Sequence, residues 1–341
     1  MNKHILLFVF VFLSFYSCNL DKQKDNTIRE QVDVEIIVDG LMTSMPAEML
    51  VYEHELVWYD MNPDSFIHIV DKKTGNTIAE IGQLGEGPDE FYTPFISWHS
   101  ERSILISDCF ANRQMILLLD SVKMKALPHN LGVSTSLLGI AESQYVWVNM
   151  QNDLPFVFWN GGKEITFGKY PLGDVEKIIN KQEVFQGVFS YNHYNKSLIY
   201  SVPDLSYISL YRLDDGMFNQ IWEKTLPGLE SQLMDNGTLI INKTTHYTPS
   251  AITLTKDYIV TIERDEKTRE ISIESDSSDR LKRNFARTPQ TLFVYDYDFN
   301  LKKILHTQIP MFRLASDGGD NEVFFIGLKG EYCIAKCDLD F

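Results

Sequence analysis

An all-β fold built from repeated sheets is predicted by three features of this 341-residue chain. Aromatic residues make up 12% of it, with 21 Phe and 16 Tyr, and such side chains suit pleated, half-buried surfaces. A weak unit of apolar strand, turn, strand, turn and strand recurs at a period of about 45 to 55 residues, the self-similarity expected of radially repeated sheets. The last repeat stops short of a full set of strands while the N-terminal region carries a strand with no partner, so each end can complete the other. Together these features predict a six-bladed β-propeller over 31–341, closed by an N-terminal strand that completes the last blade.

The chain opens with "MNKHILLFVFVFLSFYSC", which has a cationic start at Lys3, an apolar run from Ile5 to Phe15 and a small Ser17 before Cys18. The run is shorter than the roughly 18 to 20 residues needed to cross a bilayer, so 1–17 reads as a secretion signal. The "FYSC" ending resembles a bacterial lipobox, which implies cleavage before Cys18 and lipidation of that residue. Phe15 stands where Leu is commonest in that motif. Polar "NLDKQKDNTIREQ" shows no periodicity, so 18–30 is expected to be a tether. Asn19 after the lipidated cysteine points to the outer membrane, with the periplasmic and external sides both open.

Composition narrows the function. Once Cys18 carries lipid, Cys109, Cys333 and Cys337 are an odd set in an exported chain, and no disulfide framework is expected. Cys333 and Cys337 on one strand would be ~13 Å apart, too far to bridge. The net charge of −16 opposes phosphate backbones and argues against nucleic acid.

The repeats follow in order. "ELVWYDMNPDSFIHIVDKKTGNTIAEIG" reads as strands Leu56–Tyr59, Phe66–Val70 and Thr77–Ile81, with Asp71, Gly75 and Asn76 shaping the last turn. "SILISDCFANRQMILLLDSVKMKALP" repeats the scheme. It returns in "QYVWVNMQNDLPFVFWNGGKEITFGKYP", turning at Gly161-Gly162, and in "SLIYSVPDLSYISLYRLDDGMFNQIWEKTL", turning at Asp214-Asp215-Gly216. A fifth copy, "DYIVTIERD", is interrupted by charged "EKTREISIESDSSDRLKRNFARTP", expected to be a long inter-strand loop, and resumes as "QTLFVYDYDFNLKKILHTQI". The sixth, "EVFFIGLKGEYCIAKCDLDF" after an inner strand near "MFRLAS", lacks an outer strand that "QVDVEIIVD", Gln31 to Asp39, can supply.

Between the first two copies lies "IGQLGEGPDEF", whose glycines could suggest a phosphate loop. Such a loop must run into a helix, and "GEGPDEFYTPFISW" runs into β-branched and aromatic residues with two prolines. The stretch "GQLGEGPDEFYTPFISWHSERSILISDCFANRQMILLLD" instead resembles the NHL repeat of β-propellers, at Gly87, Pro88, Phe91, Pro94, Asp108, Asn112, Arg113 and Asp120. Glu90 departs from the Gln common there, and the other blades keep fragments only. With the lipobox, the chain resembles the six-bladed β-propeller lipoproteins of Bacteroidota. That resemblance implies that Gly85, Gly87, Pro88 and Phe91 form a crossing turn between blades, with glycine accepting angles that a Cβ excludes. Asp108 and Arg113 are then expected to tie strands, and Asn112 to shape a hairpin.

Ligands of propellers are usually met where crossing loops enter the inner strands at one mouth of the channel. The candidates there are Glu90, Tyr92, Gln186, Tyr191, His193, His246, Tyr247 and Arg313, a set that suits a sugar or a peptide. The eight His are scattered, with no HxH or HExxH, and no GxSxG elbow is present. No metal, no other cofactor and no catalytic residue is therefore expected. The reading is a monomeric, membrane-tethered binding or scaffolding module of the cell envelope, with an envelope protein or glycan as partner. A propeller hydrolase or lyase acting on a carbohydrate or lactone is the alternative.

Overall fold

The computed structural model describes residues 28–43, 46–87, 90–127, 131, 136–173, 175–202, 205–225, 230–242, 251–263 and 288–339. Two N-terminal strands, β1 (Ile28–Gln31) and β2 (Glu35–Leu41), precede the first blade. Blade one comprises β3 (Pro46–Val51), β4 (Glu55–Asp60), β5 (Ile67–Asp71) and β6 (Thr77–Ile81). Blade two comprises β7 (Pro94–Ser100), β8 (Ser103–Asp108), β9 (Arg113–Leu118) and β10 (Lys123–Ala126). Blade three is β11 (Leu138–Ala141), β12 (Gln144–Val148), β13 (Phe156–Asn160) and β14 (Lys163–Phe167). Blade four is β15 (Val188–Asn192), β16 (Ser197–Val202), β17 (Tyr207–Asp214) and β18 (Met217–Thr225).

A separate hairpin, β19 (Glu230–Leu233) with β20 (Leu239–Asn242), precedes blade five. Blade five is β21 (Ala251–Leu254), β22 (Ile259–Glu263), β23 (Thr291–Tyr295) and β24 (Leu301–His306). Blade six has β25 (Met311–Ala315), β26 (Glu322–Lys329) and β27 (Glu331–Asp338). Its fourth strand is β2, antiparallel to β27. The chain is therefore a six-bladed β-propeller closed by its N-terminal strand.

Two details at this closure differ from the sequence reading. The closing strand is Glu35–Leu41 rather than Gln31–Asp39, because Ile36 and Val38 are the residues that register against Ala335 and Ile334. Ile28–Gln31 was expected to be tether up to Glu30, yet it pairs in parallel with β24 as a fifth strand of blade five. A four-residue strand with an isoleucine and three polar residues carries no alternation to announce it. The signal segment, Cys18 and the rest of the tether lie outside the described residues, as does nearly all of the charged interruption of blade five.

Turn chemistry follows the sequence. Gly75, Gly161, Gly162, Asp215 and Gly216 all take positive φ at the tight reversals, and the Asp71 carboxylate accepts the Lys73 and Thr74 amides. Asn112 also sits at φ 48 in the β8–β9 turn.

The core lies between blades. Six apolar clusters each join one adjacent pair, as where Phe66 and Ile69 of blade one meet Ile96 and Ile104 of blade two, or Met49 and Trp58 meet Phe324 and Ile334 of blade six. The largest holds Phe156 edge-on to Tyr200 and Tyr211, at 4.7 and 5.7 Å between ring centroids, the offset geometry aromatic quadrupoles favour. Cys333 and Cys337 are both buried on β27, and among the described residues neither they nor Cys109 forms a disulfide.

The glycine-rich crossing turn works differently from expectation. Neither Gly85 nor Gly87 takes a positive φ; Gly82 does, at +81°, and a Cβ there would lie 2.3 Å from the Phe66 ring. Gly85 and Gly87 leave room for Glu90, whose carboxylate folds back onto them and accepts the Gly87 amide at 2.8 Å. Phe91 is fully buried, 5.1 Å from Phe66 and 4.2 Å below the Arg113 guanidinium. Arg113 also donates to the Glu90 carbonyl. The Asp108 carboxylate accepts the amides of Tyr92, Phe110 and Ala111, so it ties the crossing turn to the next hairpin through the backbone. Pro88 lies outside the described residues.

One buried acid sets a pH dependence. Glu263 ends β22 at 6% exposure. Desolvation pushes its carboxyl from 4.5 up to about 6, against hydrogen bonds donated by Thr261 and Tyr295. The native state thus holds this proton more tightly than the unfolded chain, so the contribution is present in full below pH 4.5 and lost as pH rises through 6. At neutral pH the charge costs about 2 kcal/mol. Glu263→Gln keeps an acceptor for both hydroxyls, and it is expected to melt higher than the wild type at pH 7.5 with the difference gone at pH 4. Equal melting temperatures at both pH values would refute this.

Candidate functional site

Each blade runs antiparallel from inside outward, so all six inner strands (β3, β7, β11, β15, β21 and β25) point the same way along the central axis. They begin at the crossing face, where each blade's outer strand passes to the next inner strand, and end at the turn face. The turn face is made of short reversals, such as 161–162 and 215–216. The crossing face carries the long connections.

Two of those connections form a small platform that sequence reasoning missed. The segment after β14 contains a 3₁₀ turn, Val175–Lys177, and a one-turn helix, Lys181–Val184. It meets the β19–β20 hairpin through Ile179 N–H to Gly237 O, and through the Asn180 amide, which both donates to and accepts from the Leu239 backbone. Ile178, Val184, Phe185 and Leu239 bury into the cluster between blades three and four.

The exposed apolar side chains are unevenly distributed. Of the fifteen large hydrophobic residues exposed among the described residues, ten belong to the crossing face. Met42, Met61, Tyr92, Phe110, Leu154 and Val188 lie in direct connections or at strand starts, and Ile179, Leu233, Met234 and Ile240 in the platform. Phe110 is 74% exposed and Tyr92 54%, with their rings 5.7 Å apart.

The channel itself is a cavity of about 410 Å³ walled by all six inner strands. The wall mixes apolar side chains, including Leu50, Ile96, Leu138, Ile252 and Leu314, with polar ones such as Ser97, Ser190 and Thr253. Toward the crossing face it holds Glu48 of β3 and Arg313 of β25, each the third residue of its strand. Glu48 has surface open to the lumen, yet protein surrounds it, and this desolvation raises its carboxyl pKa against the pull of Arg313. Tyr59, opposite Glu48 in the ladder, is pushed up to about 12 by desolvation, with Glu48 adding to it. At the turn-face end Trp98 stacks on His193 at 4.8 Å, and Asp317 is neutralised by Lys72 at 3.1 Å. Burial pushes the His193 imidazole down, opposed by Asp317 and Glu101.

The sequence candidates separate accordingly. Tyr191, His193 and Arg313 line the channel. His193 follows the end of β15 and so lies toward the turn face rather than the crossing mouth. Glu90 closes its own turn, while Tyr92 and Gln186 are exposed on the crossing face. His246 and Tyr247 lie outside the described residues. Glu48, Ser97, Trp98 and Ser190 were missed. The inner strand "PAEMLV" was not recognised, although Pro46 opens it as Pro94 opens β7.

A second polar cluster is structural. His68 bridges Asp60 and Glu80, at 3.3 Å from each, and stacks under Trp58. With both ring nitrogens engaged, it offers no lone pair to a ligand. No group of three or more His, Cys, Asp or Glu is placed to hold a metal among the described residues.

Comparison with known proteins agrees at the level of fold. No protein-family profile matches the chain, and no curated protein does. Among solved structures it is similar to a putative exported protein from Bacteroides fragilis NCTC 9343, at 9% identity over 91% of this chain and 98% of that one, with a TM-score of 0.52. Looser likenesses are to a streptogramin B lyase (13% identity, 89% and 96% covered, TM-score 0.46) and to the Cps50 (Swd1) β-propeller domain of Myceliophthora thermophila (9%, 89% and 99%, 0.45).

Proposed function

We propose that this propeller is an envelope binding module, tethered through lipid on Cys18, whose crossing face docks a protein partner. The observation that carries the reading is the asymmetry of the two faces: one closed by tight turns, the other bearing the long connections, the platform and most of the exposed apolar side chains. Where exposed apolar side chains adjoin, as Tyr92 and Phe110 do, they mark an interaction site. Its methionines, leucines and isoleucines suit a protein surface better than a glycan, which is gripped by aromatic rings and planar polar groups. The tether reading rests on the N-terminal stretch; among the described residues no helix is long and apolar enough to cross a membrane.

The test is capture of partners from envelope extract by the full chain, compared with two variants. Tyr92→Asp/Phe110→Asp is expected to lose the captured protein at an unchanged melting temperature, whereas Tyr194→Asp on the turn face retains it. Equal capture by all three would remove the crossing face from the proposal. Fatty-acid labelling of the wild type but not of Cys18→Ala checks the anchor.

A further inference from the structure

We infer that the central channel is a separate binding site for one small zwitterion, a free α-amino acid with an apolar side chain, held between Glu48 and Arg313. The site is walled by inner strands and does not depend on the docking face. The cavity of about 410 Å³ falls within the roughly 300–1,000 Å³ range of small-molecule sites.

The charges are the deciding feature. Glu48 and Arg313 sit at equivalent positions on adjacent inner strands and attract one another, yet their side chains do not come within the 4.0 Å of an ion pair. The Glu48 carboxylate has no hydrogen-bond partner among the described residues. Arg313 is fixed by two of its own donors, Nε to the Ala47 carbonyl and Nη1 to the Phe312 carbonyl at 2.8 Å. A guanidinium has five N–H donors, and its Nη2 side has no partner among the described residues. A carboxylate and a guanidinium held apart on one lumen wall present opposite charges to whatever enters between them. A ligand carrying an ammonium and a carboxylate one carbon apart satisfies both at once, its carboxylate meeting the planar guanidinium. Asp317, the other acid of the wall, is already neutralised by Lys72.

The rest of the wall fits the same ligand. Leu50, Ile252 and Leu314 lie beside the charged pair on the strands that carry it or neighbour it, and they offer apolar contact to a side chain. Ser97 Oγ, further along the lumen, is buried without a hydrogen-bond partner among the described residues.

Titration calorimetry of the full chain with L-leucine tests this. Binding is expected, and leucine amide, which lacks the carboxylate, and N-acetyl-leucine, which lacks the ammonium, should each bind at least tenfold more weakly. Glu48→Gln, nearly isosteric, should lose at least tenfold in affinity while keeping the wild-type melting temperature. Arg313→Gln should do the same, and because it also removes backbone contacts its melting temperature is read alongside. Absence of heat with L-leucine at millimolar concentration would overturn the proposal. So would equal binding of the two blocked analogues, or unchanged affinity in folded Glu48→Gln. Partner capture at the crossing face reads a different surface, so either result can fail without the other.

Discussion

Deleting 28–41 is expected to abolish cooperative unfolding of the propeller as one unit. β2 supplies the outer strand of blade six, registering from Glu35 against Lys336 to Leu41 against Tyr332, and β1 covers the outer edge of blade five. Their loss strips the ladder from β27 and from one side of β24, and leaves two exposed sheet edges of the kind that pair with other chains. It also removes Ile36, Ile37 and Val38 from the clusters at the ring's seam. The deficit is on the order of 5 kcal/mol, comparable with the whole stability margin of a typical domain. Differential scanning calorimetry should show a lower, broadened transition, with soluble aggregates by light scattering. A single transition at the wild-type temperature would mean that the ring holds without its closing strand.

The second large effect is expected at Gly139, in the inner strand of blade three. A Cβ there would lie 2.2 Å from the Trp98 carbonyl oxygen and 2.8 Å from the His99 Cα. Both are backbone atoms of blade two's inner strand and cannot swing aside. Gly139→Val should wedge blades two and three apart at the channel wall, at a cost of about 3 kcal/mol. Gly87→Val, by contrast, meets the flexible end of the Glu90 side chain, 3.0 Å from its Cβ, and should cost clearly less. Urea unfolding of both variants separates the two; equal midpoints would contradict the close blade contact at Gly139. This ordering reverses the weight that sequence alone places on Gly87, whose backbone angle turned out to be ordinary.

The sequence by itself determined the repeat, the sheet class and the closure, because these are written in local signals. Short continuous apolar runs such as "ELVWYD", turn residues such as Gly161-Gly162, and an orphan strand at each end require no knowledge of what packs against what. Phe91 and Asn112 were legible for the same reason, since a motif fixes their spacing from the turns around them. What only the tertiary structure decided lies between elements distant in sequence. Glu48 and Arg313 are brought together by closure of the ring, and neither residue's neighbours in the chain announce the other. The unequal faces likewise emerge only when strand direction is known, because "FANR" and "EFYT" look like ordinary loops until Phe110 and Tyr92 prove to share one side. Gly139 is the clearest case: nothing in "LLGIA" marks its glycine as essential, since the constraint comes from the backbone of another blade.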